Sequence, residues 1–261
     1  MKKKSVLILT LGLLVALFSG CTSNEATKEP NETTITIAAA ASLKNCMDKK
    51  LIPMFNEKYP NIKVQATYDS SGKLQSQIEE GAEIDVFMSA ATKQMNELNK
   101  EGLIEDNSIV ELLENKVVLI VPKGSTKEIK SFYDILKSDK IAIGDPESVP
   151  AGQYAKELFE NLKNWDEVSK KASLGTNVTE VLNWVAEGSA DSGVVYSTDA
   201  ASNDKVEVVL EAPEGSVSKV IYPVGIIKAS KNKSESKNFI EFLQSDEAMK
   251  VFEAYGFSSN K

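Results

Sequence analysis

VVLIV (residues 117–121) and IYPVGII (residues 221–227) are the two apolar runs whose reading decides the fold. Each has the length and β-branched content of a buried strand, and each is followed or interrupted by Pro or Gly, which end or bend strands. About a hundred residues lie between them, with strand and helix signals of their own. A chain that leaves one lobe along the first run, builds a second lobe and returns along the second run accounts for this spacing. The expected division is residues 34–120 with 225–261 for lobe I and residues 121–224 for lobe II.

Further out, β-rich runs at 34–39, 63–68, 84–88, 140–143, 194–196 and 206–210 alternate with amphipathic stretches at 43–59, 73–80, 153–162 and 178–187. Two more helical stretches, 235–243 and 247–255, close the chain. Strands that alternate with helices form βαβ units, so the expected class is α/β, with largely parallel sheets and helices on both faces. Cys46 shares an apolar helical face with Leu43, Met47 and Leu51. It reads as core packing, because unpaired Cys is among the residue types most often buried.

At the N-terminus a basic cluster, Lys2 to Lys4, an apolar run over 6–18 and the small pair Ser19-Gly20 lead to Cys21. Residues 1–20 read as an export signal with Cys21 placed for lipidation, and the apolar core is short for a transmembrane helix. Such sites usually carry Leu three residues before the Cys; here Phe18 stands there and Leu17 precedes it. Residues 21–33 are too polar to fold and read as a flexible tether of roughly 20 Å. The expected location is extracytoplasmic, on the cell membrane through lipid on Cys21.

Composition excludes whole classes of chemistry. The chain has 30 Lys+Arg against 38 Asp+Glu, every basic residue is Lys, and His is absent. Loss of residues 1–20 removes three lysines and no acid, leaving a net charge of −11, which disfavours nucleic acid and anionic lipid as partners. Without His there is no Ser-His-Asp or Cys-His machinery, no His-containing zinc site and no side chain titrating near neutrality by default. With Cys21 committed to lipid, Cys46 has no disulfide partner.

The informative residues follow the strands. Ser42 follows the first and Asp69-Ser70-Ser71-Gly72 the second. Gly144-Asp145-Pro146 leads to Val149-Pro150-Ala151-Gly152, and Gly175-Thr176-Asn177 precedes Val178 with Glu180 at capping-box spacing. Four helix starts thus lie at the carboxyl ends of strands, where α/β folds bind ligands. Each offers free N–H groups and the positive end of a helix dipole, which hold an anion without a formal positive charge. Such a site supplies donors alone, so an oxyanion that keeps a proton leaves its O–H unpaired, at about 1–3 kcal/mol. Capping without a ligand explains Ser42, Ser71 and Asn177 equally well one at a time.

The strings AAASL (39–43), SSG (70–72), GAEIDVFMS (81–89), GDPESVPAGQYA (144–155), VVY (194–196) with Asp199-Ala200, YPV (222–224) and YGF (255–257) run in order from about residue 34 to the end. In that order they resemble the periplasmic molybdate-binding proteins of ABC importers, with most specificity in GDPxxVPAGxYA and the C-terminal YGF. The resemblance implies a two-lobed periplasmic-binding-protein type II fold, each lobe a central sheet flanked by helices, joined by a two-strand hinge. It implies a monomer that closes on molybdate or tungstate and docks a membrane permease, with no cofactor and no direct ligand to the metal. By position it assigns the hydroxyl and N–H of Ser42 and Ser71 from lobe I, and the N–H groups of Ala151 and Val178 with the Tyr196 phenol from lobe II. Gly72-Lys73 departs from members that carry further hydroxyls there; Lys73 either adds charge near the anion or, as the more common case for a lysine, faces solvent.

Asp85, Asp145 and Asp191 lie near strand ends, but they are scattered and lack His partners, which argues against a metal site. Trp165 and Trp184 read as core, and the Lys-rich run 228–237 as solvated surface. One alternative keeps the fold and changes the ligand to sulfate, a metal complex or an organic acid. Another is an anchored phosphate or sulfate ester hydrolase, disfavoured because no activated nucleophile can be assembled from these residues. The expected protein is therefore a binder and not an enzyme.

Overall fold

The computed structural model describes residues 32–260, so the export signal, Cys21 and nearly all of the tether lie outside the described residues. Strand β1 (Thr33–Ala40) ends in a 3-10 turn (Ala41–Leu43) that continues through α1 (Lys44–Cys46), a π-turn (Met47–Leu51) and α2 (Ile52–Lys58). There follow β2 (Ile62–Asp69), α3 (Ser71–Glu79), β3 (Val86–Met88), α4 (Thr92–Lys100) and β4 (Val110–Asn115). Next come β5 (Val117–Pro122), β6 (Ile141–Gly144), α5 (Pro150–Asn161), α6 (Trp165–Lys171), β7 (Ala172–Gly175), α7 (Val178–Ala186), β8 (Ser192–Tyr196), α8 (Ser197–Ala201) and β9 (Val206–Glu211). The chain closes with β10 (Val220–Ile226), α9 (Lys233–Leu243), α10 (Asp246–Ala254) and β11 (Ser258–Ser259).

These strands form two sheets, β11-β4-β10-β3-β1-β2 and β7-β6-β8-β5-β9. Each contains a parallel trio built from βαβ units, β3-β1-β2 and β7-β6-β8. The remaining pairings are antiparallel, so the expectation of largely parallel sheets holds for those trios alone. A parallel neighbour needs a long crossover, usually a helix. A strand entered from the other sheet has none, and β5 and β10 run against their neighbours.

The expected lobe boundaries also shift. Val117–Pro122 pairs wholly within the five-stranded sheet and Val220–Ile226 wholly within the six-stranded one. The chain passes between sheets at Lys116 and across residues 212–219, placing 117–120 with lobe II and 220–224 with lobe I. The two apolar runs are inner strands of their own sheets, covered on both faces, and hence apolar throughout.

Leu43, Cys46, Met47 and Leu51 are all buried, packed with Phe55 and Phe239. The Cys46 thiol donates to the Leu43 carbonyl, and burial pushes its pKa up to about 12, so it stays an unreactive thiol. Trp165 and Trp184 sit half-buried at the core's margin rather than inside it. The three scattered aspartates pin loops. Asp85 accepts from the Thr36 N–H and the Ser230 hydroxyl, Asp145 from the Glu147 N–H, and Asp191 from the N–H groups of Asp139 and Lys140.

Helix α5 seats directly on the end of β6. A Cβ at Gly152 would lie 2.0 Å from the Gly144 carbonyl oxygen, which neither backbone can relieve without moving. Gly152→Ala should therefore lift the start of α5 and cost about 1–3 kcal/mol. Urea unfolding should show a lower midpoint at unchanged slope; an unchanged midpoint would mean the contact yields freely.

Candidate functional site

The helix starts of both lobes converge on one small cleft. Its wall holds Ser42 and Ser71 from the six-stranded side and Ala151, Val178 and Tyr196 from the five-stranded side, with Asp69, Ser70, Ala90 and Val149 among them. All five residues assigned by resemblance are on this wall. The cleft is narrow and open on one side, and the centre of a water-sized occupant has only about 10 Å³ in which to sit. Wider surface clefts of about 340 to 450 Å³ exist elsewhere, and none brings Ser71, Ala151 and Val178 together.

An α-helix leaves its first N–H groups without partners in its own backbone, and here the neighbouring amides are already engaged. At α3, the Ser70 N–H donates to Asp69 Oδ1 (2.8 Å), that of Gly72 to the Ser148 carbonyl (3.0 Å) and that of Lys73 to Ser70 Oγ (3.5 Å). Ser71 is left for the cleft. At α5, Pro150 has no N–H, while Gly152 and Gln153 both donate to the Val149 carbonyl, leaving Ala151. At α7, Asn177 Oδ1 accepts from Glu180 N–H (3.0 Å), leaving Val178 at the wall. At α7 capping and cleft lining fall on adjacent residues, Asn177 and Val178, whereas at α3 Ser70 caps and also joins Ser71 on the wall. Ser42 lies inside the 3-10 turn and caps nothing. The expected capping box is shifted, since the Glu180 carboxylate holds Thr176 rather than Asn177.

The hydroxyls are polarised toward the cleft. Ser71 Oγ accepts the Ala90 N–H at 3.0 Å, which leaves its own proton to donate. Tyr196 is 1% exposed, and burial holds its phenol well above the ordinary pKa, so it stays a neutral donor. Its contact with the Ala90 carbonyl is long, 3.5 Å, and a better acceptor would win the proton. Ser42 Oγ lies 2.9 Å from the Tyr222 phenol, which Asn115 Nδ2 meets at 3.2 Å. Sequence reasoning missed Tyr222 and Asn115, because one sits in an apolar strand and the other at a strand end; only strand pairing reveals the contact.

Asp69 lines the cleft, so the wall is not composed of donors alone; its Oδ1 is occupied by the Ser70 N–H and lies 3.4 Å from Lys73 Nζ. Lys73 therefore faces a carboxylate, not solvent alone. Asp199, buried behind Tyr196 and bonded to its N–H at 3.2 Å, is pushed up to about 7 by loss of solvation. Among the described residues, loss of solvation thus moves one carboxyl toward neutrality in a chain without His.

The lobes touch around the cleft. Besides the Gly72–Ser148 bond, Gln94 Nε2 donates to Gln153 Oε1 at 3.2 Å. A Cβ at Gly72 would lie 2.4 Å from the Ser148 oxygen, so this approach requires glycine.

The raised pKa of Asp199 has a definite sign for stability. The folded carboxyl holds its proton more tightly than the unfolded one, so its contribution is complete below the ordinary value of 3.8 and is lost as pH rises through about 7. The unfolding free energy of the parent chain minus that of Asp199→Asn should fall between those values and level off above them. Urea titrations at successive pH check this, and a flat difference would mean an ordinary carboxylate.

Over 261 residues and 99% of each chain, the protein is 44% identical to a Bacillus subtilis (strain 168) protein provisionally named ABC transporter substrate-binding lipoprotein YvgL. It is 36% identical over 230 residues to the molybdate-binding protein ModA of Haemophilus influenzae, covering 86% of this chain and 90% of that one. The solved substrate binding domain of a provisionally assigned molybdenum ABC transporter from Clostridium difficile matches with a TM-score of 0.68 and 41% identity, over 88% of this chain and 100% of that one. The profile of the bacterial extracellular solute-binding proteins matches residues 35–258, and the chain belongs to that family.

Proposed function

We propose that this protein captures molybdate or tungstate between its lobes and hands it to the permease of an ABC importer, without chemical turnover. The observation that carries the reading is the cleft on which N–H groups left over at the helix starts of both lobes converge with the hydroxyls of Ser42, Ser71 and Tyr196. A fully ionised tetrahedral oxyanion needs donors on all sides, and helix starts from two lobes supply them. The relatives named for molybdate point to the same ligand. Turnover is disfavoured by the site's chemistry: Asp199 titrates near neutrality but is not on the cleft wall, and no nucleophile there is paired with a base.

The same reading places the protein outside the cytoplasm on a lipid anchor. Its supports are the export signal, the position of Cys21 and the lipoprotein name of the Bacillus subtilis relative. Among the described residues no helix is long and apolar enough to cross a membrane.

Isothermal titration with molybdate, tungstate, sulfate and phosphate tests the ligand. Molybdate and tungstate should bind tightly and phosphate hardly at all; comparable phosphate affinity would sink the reading. Ser42→Ala and Tyr196→Phe should each raise the dissociation constant about tenfold or more, since a hydrogen bond to a charged group contributes roughly 1.5–3 kcal/mol. Val178→Pro deletes the amide at a position where a helix tolerates proline; it should fold and bind poorly, whereas Val178→Ala should bind normally. For the anchor, Cys21→Ser should move the protein from the membrane fraction into solution with its anion affinity unchanged, and continued membrane retention would exclude lipid on Cys21.

A further inference from the structure

We infer that Tyr222, oriented by Asn115, sets the direction of the Ser42 hydroxyl and thereby denies an oxyanion that keeps a proton an acceptor at Ser42. The inference rests on the oxyanion-binding reading above and adds two specificity residues that do not line the cleft.

The Lys116 backbone N–H can only donate, and it meets one side-chain atom of Asn115 at 2.8 Å. That atom is therefore the amide oxygen, which also accepts the Ser197 hydroxyl at 2.9 Å. The amide nitrogen points the other way and donates to Thr198 Oγ1 (2.9 Å) and to the Tyr222 phenol oxygen (3.2 Å). With its oxygen accepting from Asn115, Tyr222 has one proton to give, and Ser42 Oγ lies 2.9 Å away. Ser42 accepts that proton, so its own is directed away from Tyr222, toward the cleft. The Ala90 N–H imposes the same polarity on Ser71.

Tyr222 is 1% exposed and its phenol is held well above the ordinary pKa by burial, with Asp199 adding to the effect, so the relay does not lose its proton at physiological pH. A lone serine hydroxyl can donate or accept. Wired in this way, Ser42 could accept a proton from a ligand only by leaving its own without a partner in a buried wall. Molybdate and sulfate, which carry no proton at neutral pH, lose nothing. Phosphate, which carries at least one, does.

The test compares the detergent-extracted chain with Asn115→Asp and Tyr222→Phe, using molybdate, sulfate and inorganic phosphate at pH 7, with phosphate and sulfate measured by competition against molybdate. In Asn115→Asp the new carboxylate accepts from Tyr222, which then accepts from Ser42, so Ser42 presents a lone pair to the cleft. The preference for molybdate over phosphate should narrow by about tenfold or more, the worth of one unmade hydrogen bond. The preference for molybdate over sulfate should stay as in the parent chain. Tyr222→Phe frees Ser42 to turn either way and should narrow the phosphate preference less. A purely structural role would weaken all three anions by one common factor, and unchanged ratios in both variants would overturn the inference. If the parent chain binds none of the three anions, the oxyanion reading itself fails and this inference fails with it.

Discussion

A helix begins with N–H groups that its own backbone cannot satisfy, and this protein brings three such beginnings, with a 3-10 turn, to the junction of its two sheets. The rest of the structure depends on how these amides are shared out. Ser70 and Asn177 cap, Asp69 takes the Ser70 amide and Pro150 has none to give. What remains at the wall is Ser71, Ala151 and Val178, from three different elements. Glycine at 152 lets α5 start against the end of β6, which sets where the Ala151 amide lies.

The proposed recognition of an anion by an acidic chain is consistent once distances are compared. At physiological salt, charges on the surface are screened over about 8 Å, whereas the cleft's donors act at hydrogen-bond distance from any occupant. The net charge of the protein governs what approaches its surface, and the local dipoles govern what stays. Lys44, two residues after Ser42, is committed to Asp48, and Lys73, two residues after Ser71, to Asp69. The fixed donors at the wall are therefore N–H and O–H groups without formal charge.

The crossing between the sheets and the polarity of Ser42 share one set of residues. Asn115 ends the last six-stranded-sheet strand before the chain crosses at Lys116, and it holds both Thr198 and Ser197 at the start of α8 and Tyr222 in β10. The group that orients Ser42 is thus also the group that ties the two sheets at their crossing point. Asp199, on the same short helix, is buried beside Tyr196 and Tyr222. A change at this crossing reaches the cleft through a few hydrogen bonds.

The sequence alone was enough for the α/β class, for most of the strands and helices and for the helix starts, and the resemblance it carries supplied the five residues that the structure gathers on one wall. Helix starts are written locally: a strand, a turn residue, a cap and a hydrophobic stripe fall within a few positions of one another. Elements with weak local signals were not legible. The acid-flanked VELLEN of β4, the half-exposed edge strand β7 and the five-residue α8 owe their form to pairing and packing with distant segments. The sheet to which each apolar run belongs was equally hidden, because β5 and β10 look alike in isolation and differ only in which strands they join. Tertiary structure alone decided that Tyr222 reaches Ser42 across 180 positions, that Asn115 reaches Tyr222 across 107, and that Asp199 loses its solvent. The direction of a hydroxyl and the proton affinity of a carboxylate depend on the atoms packed around them, and those atoms come from far along the chain.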